Sequence, residues 1–257
     1  MSTSPREAGP TRIDGEMPAE VRREHMLALL QVREFVRVAD LSARFGVSEV
    51  TVRSDLDALA ERGHIRRVRG GAMSRIPARP ERRFEETQSS HAAEKAAIGR
   101  AAARLVSSGE TVILDVGTTT TAVARALIAR DDLHDVVVFT NALNIAIELE
   151  SVAPRISVVV TGGTLRPMQH SLVDPLGRMI IERINANVAF IGCNGIEPEY
   201  GITNINLPEA EIKRSMLHAA QQRVVVTDGS KLGEVALAYL CGINEIDTLI
   251  TGVSADP

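Results

Sequence analysis

LSARFGVSEVTVRSDLDALAERGHIRRVRGGAMSR, residues 41–75, decides how the start of this chain folds. Gly46 and Ser48 separate two amphipathic stretches by the short interval a helix-turn-helix needs. Gly70 and Gly71 then close a hairpin whose strands carry arginine. On a helical wheel, the stretch from Ser48 to Arg62 places Val52, Leu56 and Leu59 on one face and Val50, Thr51, Arg53, Ser54 and Asp57 away from it. The first face should pack and the second should meet a groove, the layout of a winged helix-turn-helix reading DNA. Ser48 suits an N-cap, and the amides after it can approach a phosphate. Arg53 is the candidate for a base edge, because a guanidinium takes guanine O6 and N7 as a bidentate pair worth about 1–3 kcal/mol of discrimination. Val50 has the character for a thymine methyl, while Arg66, Arg67 and Arg69 on the wing suit phosphate or the minor groove.

The charge distribution supports this reading. The 257-residue chain has a formal charge of −4, yet residues 62–83 hold eight arginines and one acid, Glu81, whereas 91–257 are acidic overall. Cys193 and Cys241 stand among apolar or small residues without a CxxC pair, so neither a disulfide scaffold nor a zinc site is expected, and no metal or cofactor. The opening MSTSPREAGPTRIDGEMPAE lacks the apolar core of a signal peptide, and no run approaches the roughly 18 apolar residues of a membrane helix. A cytoplasmic protein with no membrane partner is expected.

Residues 1–19, rich in Pro, Gly, Ser and charge, read as a disordered tail. A winged helix-turn-helix domain over 20–75 follows: a helix from Val21 to Val32, a short strand at Phe35 and Val36, and helices at Ala39–Phe45 and Ser48–Arg62. Residues 76–90, with Pro77 and Pro80, read as a linker. From 91 to 257 the texture alternates between helices (92–106, 119–130, 142–151, 208–221) and short β-branched strands. The strands are TVILDV (111–116), VVVFT (136–140), ISVVVTG (156–162), VAFIGC (188–193), RVVVTD (223–228) and TLIT (248–251). Their apolar runs are continuous rather than alternating, which predicts a mostly parallel sheet covered by helices. The fold class is α/β: an N-terminal winged helix-turn-helix joined to a larger α/β domain.

Within that domain LDVGTTTTAVARAL (114–127) ends a strand with Asp115, turns at Gly117 and opens a helix with Thr118, Thr119 and Thr120. Unpaired first-turn amides, the helix dipole, a close-approach glycine and hydroxyl donors would together hold a phosphate. Thr140 and Asn141, Gly162 and Gly163, and Asp228 with Lys231 fall at the ends of other strands, the edge where open α/β folds bind ligands. Each has a plainer role open to it, as helix cap, turn or surface ion pair. Together they describe amides and cations for phosphate, with Asp115, Asn141 and Asp228 for hydroxyls, chemistry that fits a phosphorylated sugar or polyol.

These residues resemble the DeoR family of bacterial transcriptional regulators. Its N-terminal signature is matched by Arg22, Met26, Leu30, Ser48, Thr51, Val52, Arg53, Asp55 and Leu56 and by RRVRGGA (66–72), with one departure at Ser54, where relatives carry a longer side chain. The resemblance continues through EKAAIGRAAARLV, LDVGTTTTAVARAL, TNALNIA, VVTGGTLRP, EAEIKRSM, TDGSKLG and IDTLIT. It implies a repressor whose effector domain is similar to ribose-5-phosphate isomerase and senses a sugar phosphate, with Glu209, Glu211 and Lys213 lining or approaching the pocket. The isomerases carry an Asp-Gly-Ala-Asp run and a glycine-rich loop where this chain has GCNGIEPEYG and ITNINLPEAE. Asn194 cannot act as a base, so binding without turnover is expected. His170, in a loop, either touches ligand or is solvated. The expected partners are an operator duplex, a sugar-phosphate effector and further copies of the chain, dimer or tetramer, since symmetric half-sites need symmetric readers. Two alternatives stand beside this reading: a sugar-phosphate isomerase with a fused DNA-binding domain, and a DNA-binding protein whose α/β domain only oligomerises.

Overall fold

A computed structural model describes residues 17–255 apart from 34, 69, 75–80 and 174. The chain forms two compact units, 1–77 and 78–257. Most of the tail expected over 1–19 lies outside the described residues, and a helix already begins at Ala19.

The first unit runs α1 (Ala19–Arg33), β1 (Phe35–Arg37), α2 (Val38–Phe45), α3 (Glu49–Glu61), β2 (Ile65–Val68) and β3 (Gly71–Ser74). Met26, Leu30, Leu41, Val52, Leu56 and Ile65 are its fully buried core. The turn between α2 and α3 follows from its residues. Gly46 takes the left-handed conformation (φ 65°) and returns its N–H to Ser42 O at 3.0 Å, the C-cap that glycine enters without strain. Ser42 Oγ donates to Val47 O at 2.7 Å, and Ser48 Oγ caps α3 by accepting from Thr51 N at 3.1 Å. β2 and β3 form the wing hairpin, and β1 extends it in the order β1-β3-β2.

The second unit begins with α4 (Phe84–Gln88) and α5 (Ala92–Ala103). Two βα units and a third strand follow: β4 (Thr111–Leu114), α6 (Thr118–Ile128), β5 (Val136–Thr140), α7 (Leu143–Glu150) and β6 (Ile156–Val160). A hairpin of β7 (Thr164–Arg166) and β8 (Ser171–Val173) leads to α8 (Leu176–Ile181), β9 (Ala186–Ile191), β10 (Gly195–Glu197), β11 (Gly201–Asn204) and α9 (Leu207–His218). β12 (Ala220–Val226), β13 (Ala238–Cys241) and β14 (Thr248–Ile250) complete it. The main sheet has the order β14-β12-β9-β4-β5-β6, every neighbouring pair parallel. Its central strands carry continuous apolar runs because both faces are covered there. Val112 and Leu114 of β4 join Ile98, Val123 and Leu127 on one side, while Ile113 joins Ile181, Ile212 and Met216 on the other. Gly99 lets α5 lie against α6, since a Cβ there would stand 2.4 Å from Ala122 O.

The structure departs from the sequence reading in four places, the unpredicted β7–β8 hairpin being one. Residues 84–88 of the expected linker are helical, and Phe84 is buried in the second unit. A second, antiparallel sheet, β10-β11-β13, and helix α8 were not predicted. Their segments are three to six residues long, too short to show a period. Among the described residues no helix is long and apolar enough to cross a membrane.

Candidate functional site

In the first unit α3 presents the expected outward face. Val50 is 72 % exposed, Arg53, Ser54 and Asp57 are exposed, and Thr51 is half-buried beside the cap. The arginines here are already paired. Arg53 Nη2 lies 2.5 Å from Glu49 Oε2 one turn back, and Arg67 Nε lies 2.9 Å from Asp57 Oδ1 on α3. Exposed pairs of this kind contribute about 0.3–0.5 kcal/mol, so a base edge or phosphate can take either guanidinium at small cost. Arg69 and the side chain of Arg66 lie outside the described residues. Asp55 is buried on the opposite side of α3 from this surface, where Arg22 Nε (2.7 Å) and Arg23 Nε (2.9 Å) converge on its carboxylate and bind α1 to α3.

The six strands of the main sheet in the second unit all run the same way, so the residues that follow them collect at one edge of the sheet. From β4 the chain moves to β5 and β6 on one side, and β9, β12 and β14 lie on the other. The order therefore reverses between β4 and β9, the place where open α/β sheets form their ligand crevice. Asp115 stands there, fully buried. Its Oδ2 accepts from Gly192 N at 3.1 Å and from Lys213 Nζ, which also donates to Gly192 O at 2.9 Å. Its Oδ1 is buried and accepts no hydrogen bond among the described residues. Burial pushes the Asp115 carboxyl up to about 6, a rise that Lys213 opposes and the nearby Glu209 carboxylate reinforces.

Beside it, Gly117 caps α6 at φ 146° and ψ 163° without a side-chain bond. The Thr120 and Thr121 hydroxyls turn back to Gly117 O at 2.9 and 2.7 Å, so Thr120 is spent within the helix. Thr118 is half-buried and Thr119 is 8 % exposed, and neither hydroxyl is bonded within the described residues. Across the sheet Asp228 caps a short turn through Ser230 N (3.1 Å) and lies 3.9 Å from Lys95 Nζ. Burial would raise its carboxyl, but the Ser230 hydrogen bonds and the charges of Lys231 and Lys95 together hold it below the ordinary range. Lys95, 5 % exposed, has its ammonium lowered chiefly by burial. Lys231 is half-buried beside it.

Several expected contacts are redirected. Asn141 Oδ1 accepts from Val116 N at 3.0 Å and its Nδ2 donates to Leu172 O at 3.4 Å, so its amide splices the β4 loop to β8 instead of offering itself to a hydroxyl. Thr140 Oγ1 accepts from Ala142 N at 3.1 Å. Gly162 and Gly163 carry φ of 74° and 122°, the loop conformation for which glycine is suited. Glu209 is buried and accepts from Ser171 Oγ at 2.6 Å and from Arg166. Glu211, two residues on along the helix, points to the other side: it is exposed and pairs with Arg214 and, at 4.0 Å, with Arg178. The implied place of Glu211 in the pocket is therefore corrected, for residues two apart on a helix do not share a face. It lines a separate groove of about 360 Å³ between α8 and α9. His170 Nε2 is 2.7 Å from Glu85 Oε1. Asn194 Oδ1 accepts from Ile205 N at 2.9 Å, a loop-joining role. Cys193 and Cys241 are free thiols, pushed up by burial to about 11 and about 12.

Sequence reasoning assigned no role to Lys95, Arg166, Ser171 or Gly192. Lys95 and Arg166 stand inside the motifs EKAAIGRAAARLV and VVTGGTLRP; Arg166 is the one cation of its run, whereas nothing in the first motif sets Lys95 apart from Arg100 and Arg104.

Comparison with known proteins places both units. A family described as the DeoR C terminal sensor domain matches residues 90–253, and the DeoR-like helix-turn-helix domain matches residues 22–76. The HTH-type transcriptional regulator GolR of Listeria innocua is 35 % identical over 230 residues, 90 % of this chain and 89 % of the relative. The HTH-type transcriptional regulator GlpR of Haloferax volcanii is 34 % identical over 240 residues, 93 % and 92 % of the two chains. Among solved structures, ribose 5-phosphate isomerase A of Methanocaldococcus jannaschii is 19 % identical with a TM-score of 0.42, covering 56 % of this chain and 55 % of that one.

Proposed function

Since the chain belongs to the DeoR family of helix-turn-helix transcriptional regulators, we propose that it represses genes of sugar or polyol catabolism and that a phosphorylated sugar, held at the carboxyl edge of the parallel sheet, controls its grip on DNA. The observation that carries this reading is the pairing, at the strand edge between β4 and β9, of a fully buried carboxylate oxygen without a donor among the described residues, Asp115 Oδ1, and the open first turn of α6 that begins three residues later. A buried acceptor left unmade costs about 1–3 kcal/mol, which a ligand hydroxyl would recover. The amides and dipole of α6 suit a phosphate, with Lys231 and Lys95 supplying cations on the far side of the crevice.

Binding without turnover is the reading the charges favour. Shifting a proton between carbons needs an available base. The three buried carboxylates near the strand edge each face a cation, Asp115 facing Lys213, Glu209 facing Arg166 and Asp228 facing Lys95, and Asn194 replaces an acid. The protein acts in the cytoplasm as a dimer or tetramer, since a two-fold operator needs two reading heads. Effector binding changes DNA affinity by favouring one arrangement of those heads, and it can do so only through unequal affinity for the two states.

A thermal-shift screen of sugar and polyol phosphates, followed by mobility shifts on DNA from upstream of the gene, tests the proposal. A raised melting temperature with one phosphate and a change in duplex affinity with that same phosphate are expected. Turnover of a pentose or hexose phosphate would favour the isomerase alternative. Tight DNA binding indifferent to every phosphate would leave the second domain as an oligomerisation module.

A further inference from the structure

Residues 81–88 open the second unit, shortly after the first ends at residue 77, and they are tied down at both ends by side chains of the strand-edge cluster. Upstream, Arg166 on β7 divides its guanidinium. Nη2 donates to Glu81 Oε2 at 2.5 Å and Nη1 to Glu209, the α9 carboxylate that Ser171 also donates to. The tip of the β7–β8 hairpin grips the next residues: Phe84 N donates to Met168 O at 3.0 Å, and Gln169 Nε2 to Arg82 O at 2.7 Å. His170 meets Glu85 while its ring stands edge-on to Phe84, centroids 5.5 Å apart. His170 holds φ 56°, a conformation non-glycine residues seldom keep unless their surroundings impose it. Downstream, Lys95 Nζ donates to Thr87 O and Ser90 O, each at 2.7 Å, while facing Asp228. α4 itself packs on α6, whose first turn borders the crevice.

The groups that hold this segment are thus shared with the crevice. Glu209 serves Arg166 and lies close enough to Asp115 to disturb its ionisation. Lys95 serves the α4 carbonyls and Asp228. A hydroxyl or phosphate arriving among Asp115, Glu209 and Asp228 draws on donors and charges that now fasten residues 81–90.

We propose that residues 81–90 form a strap that reports occupancy of the strand edge to the DNA-binding unit, with Arg166 as the positioning residue that joins Glu209 in the site to Glu81 on the strap. The proposal rests on the reading of the strand edge as an effector site. It adds the element that carries the signal: when Arg166 holds Glu81 the chain leading to the head is fixed from residue 81 onward, and when it lets go the head gains the freedom of that stretch.

The test uses full-length protein with Glu81→Gln, Arg166→Met and both together. Glu81 itself makes no contact with the strand-edge carboxylates, so Glu81→Gln should speed amide exchange over 82–90 and, because the ligand no longer competes with Glu81 for Arg166, keep or enlarge any melting-temperature shift that ribose 5-phosphate, glucose 6-phosphate or glycerol 3-phosphate gives the wild type. Each single variant should change affinity for the upstream duplex by about 5-fold or more, within the usual range of coupling between sites. The double variant should add nothing further, as expected when both act on one contact. A Glu81→Gln protein that exchanges faster over 82–90 but binds duplex as the wild type does would overturn the strap, as would one whose exchange there is unaltered. If a phosphate shifts the wild type, Glu81→Gln should bind it yet lose its effect on duplex affinity. If none does, the effector reading fails separately, and the duplex affinities still decide the strap.

Discussion

Asp115→Asn separates the two forces acting on the buried carboxyl at the centre of the crevice. Burial raises its pKa and Lys213 lowers it, and burial prevails, moving the group from an ordinary 3.8 to about 6. A folded-state pKa above the unfolded one means that the native protein keeps a proton the unfolded chain has released. The group's favourable contribution is therefore complete below about pH 4 and is lost as the pH rises through 6. At about 1.36 kcal/mol for each tenfold change, the gap between 3.8 and about 6 amounts to about 3 kcal/mol. Asparagine has the same shape and does not ionise. Measured by urea unfolding at a series of pH values, the stability of Asp115→Asn relative to wild type should rise by about 3 kcal/mol between pH 4 and pH 7. Differencing the two proteins removes the other titrating groups, including Asp228, whose shift runs the opposite way. A difference that stays flat with pH, or that turns in favour of the wild type as pH rises, would show that Lys213 outweighs burial and would refute the reasoning. In the same variant the response to sugar phosphate should vanish while duplex binding persists; loss of both would mark Asp115 as a folding residue only.

Further outcomes follow from the same geometry. Lys231→Ala should abolish the phosphate-induced rise in melting temperature, whereas Glu211→Ala, on the outer side of α9, should leave it intact, both read by thermal shift. Arg53→Ala should weaken binding to the upstream duplex by about 1–3 kcal/mol and relax base preference at one position, with the phosphate response retained, as seen by titration against a panel of single-base variants. Asp55→Ala leaves Arg22 buried with the Met17 carbonyl as its remaining described partner, and should lower the stability of the first unit by about 3–5 kcal/mol in chemical denaturation. Gly99→Ala drives a methyl into the Ala122 carbonyl and should cost about 1–3 kcal/mol in the second unit, measured the same way.

Much of the architecture was readable along the chain because its signals are local. Gly46, Ser48 and the spacing of Val52, Leu56 and Leu59 specify a turn between two helices within a span where neighbours in sequence are neighbours in space. The continuous apolar runs of β4, β9 and β12 likewise announce strands covered on both faces. The positions after those strands could be placed at one edge of the sheet before their surroundings were known, since parallel strands bring their ends to one side. What each side chain does there depended on partners far away in sequence. Asp115 meets Lys213 across 98 residues, Arg166 meets Glu81 across 85, and Asn141 meets Leu172 across 31. No periodicity records such meetings. The sequence by itself pointed to a helix-turn-helix followed by a parallel α/β sheet and to the residue types at that sheet's edge, because backbone preference and burial pattern are properties of short segments. Only the tertiary structure decided which of those polar groups are spent on one another and which, like Asp115 Oδ1, are left open, because hydrogen-bond satisfaction depends on where the whole chain places its donors.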